Sequence, residues 1–149
     1  MNAVSQSFTL KLTSKIAYLG VLFRAEFLGT HVDLRPWLED RKTQSHLDPN
    51  SIDLSFHSFH QSTGLNVNCV LMQLKFSTDL REPTCRLSRI DANGFERGDE
   101  KWQFSTNTDE FLGISPPTLE AQMHFMKIVN HALLLFKDPH KEDSLQLNS

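Results

Sequence analysis

The stretch SPPTLEAQMHFMKIVNHALLLFKDP, residues 115–139, decides the fold. It holds no glycine, and prolines stand only at its two ends. Ser115 has the chemistry of an N-cap, and Pro116 and Pro117 sit where missing N–H groups cost little. Asp138-Pro139 stops the pattern, so one helix is expected over 116–137. At about 100° per residue, Glu120, His124, Lys127 and His131 collect in one narrow polar stripe. Apolar side chains cover nearly all of the rest, interrupted by Gln122 and Asn130. That arc is wider than the ~100° stripe of a helix lying on one surface. A sheet covers one side of such a helix, and its flanks need a second cover. Met123, Phe125, Met126, Val129, Leu133 and Phe136 are therefore the candidate binding face, for a subunit partner or an apolar ligand.

Working upstream, period-two alternation marks strands. Phe8, Leu10 and Leu12 alternate with polar residues, and so do Ile52, Leu54 and Phe56. Val21, Phe23, Ala25 and Phe27 favour another strand within 16–28, with a helix as the alternative. Leu65–Phe76 is the longest strand candidate, and its apolar phase switches near Val70. A central strand buried on both faces, or a bulge, explains such a switch. Thr84–Asp91 reads as a strand ended by the turn chemistry of Ala92-Asn93-Gly94. Lys101–Ser105, with Trp102 and Phe104 inward, reads as the last strand. A short surface helix is expected near 33–44, with Asp33 as N-cap, and it is one candidate cover for the C-terminal helix.

The expected class is thus α+β: an antiparallel sheet of five to six strands packed on a long C-terminal helix. Residues 1–139 are expected to form one domain, and 140–149 a polar, disordered tail free of it. With 149 residues, about 70% of the unfolded chain's surface is buried on folding, enough for a core without staples. Eleven Phe against one Tyr and two Trp supply filler with no polar handle. A net charge of −3 argues against nucleic acid held by a general basic field. The arginines at 81, 86, 89 and 97 are interleaved with Glu82, Asp91 and Glu96. The polar start, without a charged-then-apolar layout, and the lack of a membrane-length apolar run suggest a cytoplasmic protein with no membrane partner. Cys69 and Cys85 are expected as free thiols there.

Motifs for chemistry are sparse. His57 and His60 lie three apart, which on a strand points them to opposite faces. His124 and His131 share a helical face with Glu120, but on the stripe expected to face water. Asp53 with Asp91, or Glu96 with Asp99, offer acid/base pairs in principle. No catalytic set, metal site or cofactor is expected from these residues.

Leu65–Phe95, LNVNCVLMQLKFSTDLREPTCRLSRIDANGF, resembles the central hairpin of the SecB-like export chaperones. Those proteins pair a long apolar strand with a second strand across a charged turn and end it in a Gly-Phe step, here Gly94-Phe95. The resemblance implies an oligomer with apolar grooves for unfolded clients and no catalytic residue. From the residues alone, the leading expectation is a non-enzymatic, homo-oligomeric module acting through protein contacts. The alternative is a helix-grip domain holding a small hydrophobic ligand between sheet and helix.

Overall fold

The computed structural model describes residues 1–38, 47–58 and 63–141. A short 3-10 turn, Ala3–Gln6, precedes helix α1, Leu10–Glu26. Six strands follow: β1 Thr30–Asp33, β2 Ser51–Ser58, β3 Cys69–Phe76, β4 Leu87–Glu96, β5 Asp99–Ser105 and β6 Glu110–Gly113. Helix α2, Leu119–Phe136, closes the domain. The strands pair antiparallel in sequence order, a simple meander. The α+β class, the antiparallel sheet and the closing C-terminal helix therefore hold.

The segment 8–28 corrects the sequence reading. Leu10–Glu26 is one helix, the alternative left open for 16–28, rather than two strands. The Thr9 hydroxyl caps it, accepting the Leu12 N–H at 3.2 Å. Leu12, Ile16, Leu19 and Phe23, spaced four, three and four, are all buried. Alternation over 21–27 was a coincidence, because Val21 and Ala25 lie on the outer side while Phe23 and Phe27 lie in the core. Leu10, Val21 and Leu28 remain in solvent.

Three boundaries also move. The N-cap of α2 is Thr118, whose hydroxyl accepts the Ala121 N–H at 3.1 Å, so Ser115 and both prolines precede the helix. Asp33 ends β1 opposite Ser55 rather than starting a helix. Its Oδ1 accepts the Arg35 N–H at 2.8 Å, an Asx turn that spends the capping chemistry on chain reversal. Residues 34–38 form no helix, and 39–44 lie outside the described residues. Ala92-Asn93-Gly94 continues β4, and the chain turns at Arg97-Gly98, with φ of 53° and 83°. Two positive φ values suit the tight hairpin that joins Glu96 to Asp99. Gly94 serves packing instead: a Cβ there would lie 2.3 Å from the Trp102 indole.

The phase switch near Val70 falls beside the loop-to-strand boundary at Cys69, with Leu71 buried on the other face of the strand. Leu65 and Val67 are buried in the loop before β3. From Val70 the even positions Met72, Leu74 and Phe76 face the helices. The core lies between that sheet face and a layer of two helices. These run antiparallel, since Glu26 of α1 meets His124 near the start of α2 while Lys15 reaches Asp138 beyond its end. The cover beside α2 is thus α1.

Candidate protein-interaction face

Helix α2 divides the six residues of the candidate face. Phe125, Val129 and Phe136 are fully buried. Phe125 meets Trp102, Phe104 and Phe111 edge-on, with ring centroids 5.5–6.0 Å apart. These three are core residues, removed from the binding face by the sheet beneath them. Met126 is half-buried against the core, and Met123 and Leu133 open to solvent. The polar stripe also divides. Glu120 and Lys127 are exposed, while His124 and His131 are half-buried. His124 Nδ1 lies 2.6 Å from Glu26 Oε2, and His131 Nδ1 is buried with no hydrogen-bond partner among the described residues. The stripe thus serves partly as the seam to α1.

Solvent instead meets apolar side chains on both helices. Leu10, Val21 and Leu28 of α1 and its edges, with Leu119, Met123 and Leu134 of α2, are 60–82% exposed. Tyr18 and Leu133 add lesser exposure. Scattered single apolar residues are ordinary, but here two neighbouring helices each expose several, which makes their outer side the candidate face. The sequence reading missed α1's share because it favoured strand over helix for that segment.

The other candidates separate. Asp53 and Asp91 lie in one row across the sheet face turned away from the helices, two strands apart, with Gln73 between them; that face is covered at Asp53 by Met1 and Trp37 and open at Asp91. That places their backbones about 10 Å apart. Asp53 is buried, and its Oδ2 accepts the Trp37 indole N–H at 2.6 Å and lies 2.7 Å from the Met1 amino nitrogen. Asp91 pairs with Arg89 at 3.0 Å. Glu96 and Asp99 flank the β4–β5 turn. A shallow groove of about 320 Å³ runs over this open face, lined by Gln73, Arg89, Asp91, Asn93 and Gln103 among others. His57 Nε2 lies 3.0 Å from the Ser55 hydroxyl, and His60 lies outside the described residues. Among the described residues, no group of three or more His, Cys, Asp or Glu is placed to hold a metal ion. None of their helices is long and apolar enough to cross a membrane.

Cys69 opens β3 and Cys85 lies just before β4, near the other end of β3, and both are free thiols. Burial raises the Cys69 thiol above its ordinary value, and the nearby Asp33 carboxylate adds to this. Burial likewise raises Cys85. Neither is an activated thiolate. Beyond α2, the Lys15 ammonium is buried and donates to the carbonyls of Asp138, Pro139 and Lys141 at 2.7–3.3 Å. His140 Nε2 contacts the Leu80 carbonyl. His140 and Lys141, expected to begin a free tail, are thus tied to the domain. Residues 142–149 lie outside the described residues.

Fold and surface together define a six-stranded antiparallel α+β domain with a two-helix layer that exposes apolar side chains among charged ones on its outside. The chain belongs to a family described as a domain of unknown function, whose model matches residues 4–138. No curated protein and no solved structure matches it.

Proposed function

We propose that this domain is a non-enzymatic binding module that acts through protein contacts and associates with its own copies through the outer face of the α1/α2 layer. The observation that carries the reading is the set of exposed apolar side chains on neighbouring helices. Covering them removes apolar surface from water at about 25 cal/mol per Å². A two-fold arrangement lets one surface cover itself, which is the commonest solution among soluble oligomers.

The reading also draws support from the interior. The rings of Phe125, Trp102, Phe104 and Phe111 interlock where a helix-grip domain would hold its ligand. A SecB-like role would use the same outer face for unfolded clients. Native mass spectrometry of the purified chain tests all three. A dimer free of small molecules supports the proposal. A monomer overturns it, and a monomer retaining an apolar compound favours the ligand alternative. Suppression of a denatured client's aggregation by the dimer would add the chaperone role.

A further inference from the structure

The charges around Met123 specify how two copies meet, an inference that rests on the self-association proposed above. Glu120 stands three residues before Met123, and Lys127 four residues after it. All three are exposed on the outer side of α2, with the Glu120 side chain 87% exposed. Seven residues of helix separate the two charges by about 10 Å along the axis. Opposite charges set almost evenly on either side of an apolar residue make a self-complementary patch. A half-turn about an axis near Met123 exchanges the two ends.

We propose that the second copy's α2 crosses antiparallel over Met123, so that Glu120 of each copy meets Lys127 of the other. Met123 and Met126 of both copies then fill the centre. Unbranched thioether side chains adapt well to such a contact. Antiparallel crossing also sets the two helix dipoles favourably. A parallel crossing would place Glu120 beside Glu120 and Lys127 beside Lys127, and like charges repel.

Charge reversal tests this in the full chain. Glu120→Lys and Lys127→Glu are made singly and together, and self-association is measured by sedimentation equilibrium. Each single variant replaces two attractive contacts with two repulsive ones and weakens association about tenfold. An equal mixture of the two single variants pairs as a heterodimer at wild-type strength, because each copy then carries the charge the other needs. The double variant regains wild-type strength for the same reason. Circular-dichroism melts confirm that each variant is folded. Single variants that associate as tightly as wild type overturn this arrangement, as do a mixture and a double variant that stay weak. In either case the dimer itself stands. A wild-type chain that is monomeric at about 100 μM, where even a weak specific dimer populates, overturns the arrangement and the self-association alike.

Discussion

Phe23 of α1 stacks on Phe56 of β2 with ring centroids 3.7 Å apart and planes 3° from parallel. Phe23 also meets Phe125 of α2 edge-on at 6.3 Å. One side chain therefore joins the sheet to both helices. Phe23→Ala should cost about 3–5 kcal/mol, from lost transfer energy and the cavity left behind. Urea unfolding measures this directly. A loss under about 1 kcal/mol would mean that α1 is not held on the sheet in this way.

Gly94 lets the Trp102 indole lie flat on β4, where its Nε1 donates to the Leu65 carbonyl at 2.9 Å. A methyl group at position 94 collides with the ring. Gly94→Ala should destabilise by about 1–3 kcal/mol, as overpacking does. Trp102→Leu in the same chain should recover part of that loss, a coupling that a double-mutant cycle reads out.

The caps separate two accounts of where α2 begins. Thr118→Ala removes an acceptor for the Ala121 N–H and should cost about 1 kcal/mol. Ser115→Ala, three residues earlier, should stay within about 0.5 kcal/mol of wild type. The reverse order in thermal melts would restore Ser115 as the cap.

Acid should loosen the chain beyond α2. Burial pushes the Asp138 carboxyl up, but the His140 N–H and the charges of Arg86 and Lys141 outweigh it and hold the group below its ordinary value. A carboxyl lowered in the folded state contributes stability above its unfolded value, about 3.9, and loses it as pH falls through the folded value. Asp48 is lowered as well: the Asn50 N–H and Lys75 outweigh its burial. Asp138→Asn should therefore flatten the loss of stability below about pH 4 without abolishing it. An unchanged acid slope would contradict this.

Where the sequence was legible, one face of an element was apolar and the other polar. Ile52–Phe56 and Trp102–Phe104 alternate cleanly and became strands with those residues inside. The C-terminal helix was clear from its length and its prolines. Helix α1 was not, because Leu10, Val21 and Leu28 stay outside and blur its period. The feature that hid the helix is the one that makes it part of the candidate face. Gly94 had turn chemistry, but a tryptophan on the next strand required it for space. Which flank of α2 lies bare could not be read either. That depends on α1 covering the His124 side, a relation between residues about a hundred positions apart.

The most direct test of the central claim is sedimentation equilibrium of the wild-type chain beside Met123→Glu. The account predicts a wild-type mass of twice the chain at tens of micromolar, the range of an ordinary specific dimer. It predicts a single-chain mass for Met123→Glu, with an unchanged thermal melt, because that side chain is 69% exposed and holds no core. A wild-type protein that sediments as a single chain, or a variant that pairs as well as wild type, would contradict it.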